Sequence, residues 1–472
     1  MPFDVVTYIY ATRRGAAAGK ADTIKYIVNQ DATYLVSIIS RMDISAISKF
    51  LNNITPSLVR SLLSSGLPNA LSVIDSWLAN PSINYDNVAA AIDGSDVPAS
   101  GVAALLDAKL SSGAITVDAV ATLLASSQLS VSKLYSILAN MGANNVQSVL
   151  YRWVSNLALD RLIDLLTYGA PSATLNANVT FTGVNRFNVL NLNGYTYTAD
   201  GQPHVIIAQS INVPASSSIA KTPTGGAGGL GPASGGRGGG GLIILTKSMT
   251  VAGTISANGA RGSNYGSGSG RGGGGGAGAM PTVFSLSPGN GSNTCSYGYG
   301  NNAGGAPGAG AGGGYDNSVY DAGGPGGAVS LTNYSTINDF IQALVRPIVD
   351  WYIVNILGKT PATTSAFPAC YGAGGGGGGT CGGGGGGGGG FMFIYSPSLS
   401  LTGTLSASGG AGGDANTSTS GCYNGGGGGG GLIFVVARGY VPQSKILLNG
   451  GSLGAPRCGS TSTPGSFAVM WP

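Results

Sequence analysis

Two different spacings of apolar residues divide the chain. Between residues 21 and 169, one apolar residue is followed by another five positions later and by an apolar pair at eight and nine. The frame reads Met42/Ile47/Phe50-Leu51, Ile54/Val59/Leu62-Leu63, Ile83/Val88/Ala91-Ile92 and Val97/Val102/Leu105-Leu106. It continues as Ile115/Val120/Leu123-Leu124, Leu129/Leu134/Ile137-Leu138, Met141/Val146/Val149-Leu150 and Leu157/Leu162/Leu165-Leu166. The residue after the first apolar position is often a capping type: Asp43, Thr55, Asn84, Thr116 or Ser130. An apolar N′ residue, a cap, and an apolar residue at N4 form a hydrophobic staple. Pro56 suits the first helical position after Thr55. The pattern predicts an array of short helices whose starts are too unevenly spaced for a regular solenoid.

Beyond residue 170 the period becomes that of strands. Val179-Thr180-Phe181 and Phe187–Leu192 alternate and carry β-branched residues. Three apolar runs then follow directly on glycine: Leu242–Leu245 after Gly238–Gly241, Phe391–Tyr395 after Gly382–Gly390, and Leu432–Val436 after Gly425–Gly431. A second apolar position follows 13 or 14 residues after the start of each run, at Ile255, Leu405 and Ile446, and Ile219 follows Val205 in the same way. That phasing predicts equivalent strands, stacked or paired. Asn258-Gly259, Ser408-Gly409 and Asn449-Gly450 read as turns after the second strands. Residues 337–357 return to helical spacing, with Pro347 expected to kink the helix and docking on the glycine-rich region expected to bury it, the alternative being pairing with its copy in a neighbouring subunit. The fold class is α+β and multidomain. Its parts are an N-terminal arm (1–20), a helical domain (21–169), a glycine-rich β domain in two parts (170–336 and 358–472), and the inserted helix (337–357).

Composition turns the glycine from filler into material. The chain has 472 residues, 85 of them Gly, and only 8% charged residues, against about a quarter in an ordinary globular chain. No Gly-X-Y period exists, so collagen is excluded, and 43% hydrophobic residues argue against disorder. Polyglycine can form the left-handed polyproline-II helix, rising about 3.1 Å per residue. Without Cβ atoms, such helices can lie side by side and exchange N–H···O=C bonds. Gly382–Gly390 would span roughly 28 Å in that form. The runs 225–241, 272–278, 303–314, 372–379, 382–390 and 425–431 are expected to be six such rods. Glycine loses the most freedom on ordering, so only a cooperative lattice offsets the cost.

Net charge is +4, with Lys and Arg scattered rather than striped among aromatics, so nucleic-acid binding is not expected. With 18 carboxylates and one His, few groups titrate between pH 3 and 7, and tolerance of acid is expected. Met1–Lys20 lacks the apolar stretch of a signal peptide, and no 18-residue uncharged apolar run predicts a membrane span. The five Cys residues all lie in the glycine-rich half. Cys370/Cys381 and Cys422/Cys458 are candidate bridges, with Cys295 left over. Such bridges imply an oxidising exterior; the other reading is buried thiols.

Little in the chain looks catalytic, and no enzyme activity is expected. His204, beside Pro203 at the start of an apolar run, reads as structural. No Cys-x-x-Cys and no His/Asp/Glu cluster suggests a metal or another cofactor. The G-x-G-x-x-G matches inside glycine tracts carry no meaning without a flanking strand and helix, and nothing singles out Asp316 or Asp321 among the carboxylates. The informative residues are aromatic. Tyr265, Tyr297, Tyr299, Tyr315, Tyr320, Tyr371 and Tyr423 sit among Ser, Asn and Gly between glycine tracts. That is the vocabulary of recognition loops, and these tyrosines are the candidate receptor-binding residues; the plain alternative is that they cap lattice edges.

Glycine tracts alternating with Tyr/Ser/Asn loops, over roughly 200–460, resemble the glycine-rich tail-fibre adhesins of tailed bacteriophages. The resemblance implies a polyglycine sandwich presenting loops to a host surface. It further implies a homo-oligomeric protein of the virion surface, bound to a host glycan or protein and held by other virion proteins through the helical domain. The helical array at 21–169 departs from that pattern. The alternative is a self-assembling subunit of a filament, sheath or capsid.

Overall fold

The structure is a computed structural model, and it describes residues 36, 39–67, 69–80, 82–223, 233–265, 337–367, 383–414, 424–452, 454 and 466–470. It is mixed α/β. Packing divides the chain into two compact units, Met1–Tyr168 with Val349–Thr364, and Gly169–Ile348 with Ser365–Pro472.

The first unit holds α1 (Ile44–Asn52), α2 (Pro56–Ser64), α3 (Ala70–Leu78), α4 (Tyr85–Gly94), α5 (Ala99–Ser111), α6 (Val117–Ala125), α7 (Val131–Asn140), α8 (Ala143–Ser155) and α9 (Leu159–Thr167). Their starts are set by side chains that satisfy the orphan N–H groups of the first turn. Asp43 accepts from Ala46 N–H at 2.7 Å, Thr116 from Ala119 at 3.2 Å and Ser130 from Lys133 at 3.3 Å. Asn84 accepts from Asp86 and Asn87 at 3.1 and 3.3 Å. Each such cap is worth about 1 kcal/mol. Thr55 makes no such bond; Pro56 opens α2 instead. The apolar frame residues Val59, Val88, Val102, Val120, Leu134 and Val146 are fully buried.

Helices pack on their second neighbours: α1 on α3, α2 on α4, α5 on α7, and α6 on α8. Polar bridges follow the same rule. Lys109 pairs with Asp75 at 2.7 Å, and Arg152 pairs with Asp118. The buried Asn87 amide donates to Leu51 O and Ile54 O, both at 2.8 Å, tying α4 to the end of α1 and the turn after it. Trp77 Nε1 donates to Asn52 Oδ1 at 2.8 Å, and Trp153 Nε1 to Ala121 O at 2.8 Å.

The second unit is built on one sheet. Among the described residues it contains β1 (Ala173–Thr174), β2 (Val179–Asn191), β3 (Thr196–Val213), β4 (Ser218–Lys221), β5 (Gly241–Val251), β6 (Thr254–Ser256), β7 (Phe391–Tyr395), β8 (Ser398–Leu401), β9 (Thr404–Ser406), β10 (Leu432–Val436), β11 (Ile446–Leu447) and β12 (Ser466–Met470). The order is β11-β9-β6-β4-β3-β5-β7-β10-β12, with β2 beside β3, β1 beside β2, and β8 beside β5. Every pairing is parallel. One row runs Val205, Ile243, Phe393, Phe434 across four strands. A second row runs Ile219, Ile255, Leu405, Ile446. The repeat in the sequence is thus a stack of coils, each contributing a strand to both rows.

Both faces of the central strands are covered, which is why they are unbroken apolar runs rather than alternating ones. One face carries Ile206, Leu242, Ile244, Met392, Ile394 and Ile433 in a single core. On the other, Phe393 and Phe434 stack at 5.8 Å. Phe340 meets Phe391, Phe393 and Phe434 edge-on at 5.8, 6.2 and 5.2 Å. Phe340 belongs to α10 (Ile337–Asn355), which is continuous through Pro347. The missing proline N–H costs about 3 kcal/mol. Burial of Phe340, Ile341, Leu344, Val345 and Ile348 offsets it, at roughly 1.5–3 kcal/mol per side chain. The boundary between the two units falls just after Ile348. Beyond it, Asp350 accepts from Gln147 at 2.7 Å and from Tyr151 at 2.5 Å.

Several sequence readings need correction. The strand readings at 179–181 and 187–192 are one strand, β2, whose register shifts at Gly183 (φ +67°). Residues 196–203 are strand as well, running through Gly201 at φ +82°. The Asn258-Gly259, Ser408-Gly409 and Asn449-Gly450 pairs do not turn the chain. Each continues into a straight tract whose backbone bonds its neighbours.

Candidate functional site

Six tracts extend from the sheet. Three run towards the strands, 234–240, 383–390 and 425–431, and three run away from them, 257–263, 407–413 and 449–454. The away-running three mix Gly, Ala, Ser and Asn with one Arg and one Leu and lie outside the glycine runs of the sequence. The runs 272–278, 303–314 and 372–379 lie outside the described residues.

Tract 383–390 lies at the centre. Gly384, Gly387 and Gly390 donate to Ser263, Ala260 and Ala257 at 2.9, 2.9 and 2.8 Å. Gly386 and Gly389 donate to Gly426 and Gly429 at 2.8 and 2.7 Å. Its carbonyls at Gly385 and Gly388 accept from Gly236 and Gly239 at 2.8 and 2.7 Å, and those at Gly387 and Gly384 accept from Gly410 and Gly413, both at 2.7 Å. Each bond direction recurs every third residue. Tracts of like direction bond in parallel register and tracts of opposite direction in antiparallel register. These are buried backbone groups, so the bonds are required rather than optional.

The spacing admits no side chain at the inner positions. A Cβ on Gly387 would lie 1.9 Å from Arg237 O, and one on Gly386 would lie 1.9 Å from Gly410 O. Both obstacles are backbone and cannot rotate away. Side chains appear on the outer side of the away-running tracts, at Asn258, Arg261 and Asn264 on one, at Ser408 and Asp414 on the next, and at Asn449 and Ser452 on the last.

The end of the lattice remote from the sheet is a contiguous patch of chain ends. Ser234 and Ser263 share a hydroxyl bond at 2.9 Å. Arg261 pairs with Asp414 at 2.8 Å and donates to Asn264 Oδ1 at 3.1 Å. Tyr265 N–H donates to Asp414 O at 2.8 Å, and Gly454 N–H to Gly425 O at 3.3 Å. Tyr265, half-buried, is the one candidate receptor-binding tyrosine within the described residues. Tyr297, Tyr299, Tyr315, Tyr320, Tyr371 and Tyr423 lie outside them. So do Cys295 and the candidate bridging residues Cys370, Cys381, Cys422 and Cys458. One end of each segment that carries these residues joins the described chain here, after Tyr265, before Gly383 and after Gly454, and segment 415–423 joins it here at both ends; the other ends of 266–336 and 368–382 meet Ile337 of α10 and Phe367.

Two other polar clusters stand apart from the lattice. His204 is fully buried. Its Nδ1 lies 2.9 Å from Asp200 O, which can only accept, so Nδ1 carries the proton and Nε2 accepts from Tyr197 OH at 2.9 Å. Burial lowers the imidazole pKa to about 4, raises that of Tyr197, and lowers that of the nearby Lys221 to about 8. The bond from Thr222 and that from the Gly201 backbone hold Asp200 below its ordinary value. Both ring nitrogens are used internally, which makes the histidine structural. In the first unit, a cleft of about 400 Å³ is lined by Gly142, Asn144, Asn145, Thr360 and Ala362. Its amides are engaged, Asn145 with Asp107 at 2.7 Å and Asn144 with Ala362 N–H at 2.9 Å.

Among the described residues, no group of three or more His, Cys, Asp or Glu could hold a metal ion. No helix there is long and apolar enough to cross a membrane. No protein-family model, curated protein or solved structure matches this chain.

Proposed function

We propose that this protein attaches a virus particle to its host cell, with a polyglycine-II lattice as the rigid mount for recognition loops. The three-residue recurrence of hydrogen-bond direction and the absence of room for Cβ atoms support the polyglycine-II reading, since that helix has three residues per turn. The observation that carries the functional reading is topological. The segments with Tyr297, Tyr299, Tyr315, Tyr320, Tyr371 and Tyr423 each join the remote end of the lattice by at least one terminus, at the end where Tyr265 sits. Loops held at the end of a rigid scaffold are the usual place for binding. The helical unit then faces the particle, and the protein works at the virion surface as a homo-oligomer without catalysing a reaction.

The test uses the full-length protein on a panel of bacterial and archaeal cells. Wild type is expected to bind at least one cell type, and Tyr297→Ala/Tyr299→Ala to bind it at least tenfold more weakly with an unchanged melting temperature. Undiminished binding by the double variant rules out these loops as the contact. A second reading, a self-assembling structural subunit, draws on β12, which among the described residues pairs on one side only, with β10. Filaments forming spontaneously from the purified chain, seen by electron microscopy, would favour it.

A further inference from the structure

We propose that the outer side of the three away-running tracts is a binding face for an extended, uncharged polysaccharide. The inference rests on the ordered-lattice reading above and names a ligand class for it, on residues other than the tyrosine loops. The face is built from short polar side chains in a grid: Asn258, Arg261 and Asn264 along one tract, Asp414 on the next, Asn449 and Ser452 on the last. Arg261, Asn264, Asn449 and Ser452 are exposed and Asn258 and Asp414 half-buried.

Two asparagines on this face are held the same way. Asn258 Oδ1 accepts from Ser408 N–H at 2.8 Å and from Ser406 Oγ at 2.7 Å. Asn264 Oδ1 accepts from Asp414 N–H at 3.0 Å and from Arg261 at 3.1 Å. In each case a backbone N–H of the neighbouring tract and one side chain together take up the carbonyl, which fixes the side chain and leaves its NH₂ with no bond inside the described protein. Six residues of polyproline-II helix separate them, roughly 19 Å, with Arg261 midway. These are preorganised donors along a straight line, and little side-chain freedom is lost when a ligand takes them up.

The chemistry of the face selects the occupant. Arg261 is paired with Asp414 at 2.8 Å, so the grid carries no net charge and lacks the row of unpaired cations that a polyanion requires. Of the Trp, Tyr and Arg anchors that give protein interfaces their energy, the grid has only Arg261, already paired with Asp414, and it has no apolar surface for a membrane. A neutral polyhydroxylated chain offers closely spaced acceptors and donors without charge, which matches a flat row of amide, guanidinium and hydroxyl groups.

The experiment is affinity electrophoresis of the full-length protein in native gels cast with dextran, mannan or amylose, and in parallel with alginate. Retardation by at least one neutral polymer and none by alginate is expected. Ser452→Trp blocks the face at an exposed side chain, since only the backbone carbonyl of Ser452 serves the lattice. That variant is expected to bind at least tenfold more weakly at an unchanged melting temperature. Absence of retardation in all three neutral gels, equal retardation by alginate, or equal binding by Ser452→Trp overturns the proposal. Retardation by a neutral polymer without attachment to any cell would sink the attachment reading and leave this face standing. Attachment without retardation would do the reverse.

Discussion

His204 is the chain's one histidine, and it works against the acid tolerance that so few titrating groups would suggest. In the unfolded chain it takes up a proton near pH 6.5, but burial holds the folded imidazole to about 4. The unfolded state therefore binds the proton first, and stability falls as pH drops from about 6.5 to about 4. A shift of this size corresponds to a loss on the order of 3 kcal/mol. Asp200 acts in the same direction but lower, below its ordinary range, because its folded carboxylate is favoured. Replacing His204 with Gln is expected to flatten the dependence of denaturant midpoint on pH across that window. An unchanged slope would show that other groups carry it. The histidine's neighbours were not legible in the sequence, since Tyr197 stands seven residues earlier on β3 itself, across the positive-φ Gly201, and Lys221 comes from β4.

Among elements, the helices were the most legible because their signals are local. Asp43, Asn84, Thr116 and Ser130 each cap within three residues, so the sequence holds the whole interaction. α3 escaped notice because its cap position, Asn69, adopts φ +61° without a side-chain bond, so no staple marks it. The apolar strands betrayed their register because equal coils repeat the same phase. The away-running tracts did not show, because Asn-Gly is also a turn signal and only bonding to a neighbouring tract keeps the chain straight. Of the candidate site, Tyr265 alone can be placed; the grid of Asn258 and Asn264 was hidden by that same ambiguity. The lattice makes a sharp mutational prediction. Gly387→Ala forces a methyl to within 1.9 Å of Arg237 O and should destabilise by about 3 kcal/mol or more, at or beyond the upper end for overpacking. Gly439→Ala, whose Cβ would be 3.6 Å from Leu399 O, should change stability by less than about 0.5 kcal/mol. Equal melting temperatures for the two variants would mean the tracts are not packed in this way.

In the whole molecule, the lattice and the sheet share their connections: each tract running towards the sheet enters a strand, and each tract running away leaves one. The two should therefore open together rather than as separate layers. Hydrogen exchange tests this directly. The amides of Gly384, Gly387 and Gly390 are expected to be protected as strongly as those of β7, the strand they lead into. Rapid exchange in the tracts beside a protected β7 would reduce the lattice to slack chain.

Register across the stack has a last consequence. Ile243 faces Phe393, and Ile255 faces Leu405, although the long chain between Tyr265 and Gly383 separates one coil from the next. Phe393 faces Phe434 across a far shorter interval. Register in the stack is therefore independent of how much polypeptide lies between coils, whether it includes a whole helix, α10, or only the few residues from Asp414 to Asn424. Chain between coils can thus lengthen or shorten while the paired rows of strands stay in phase.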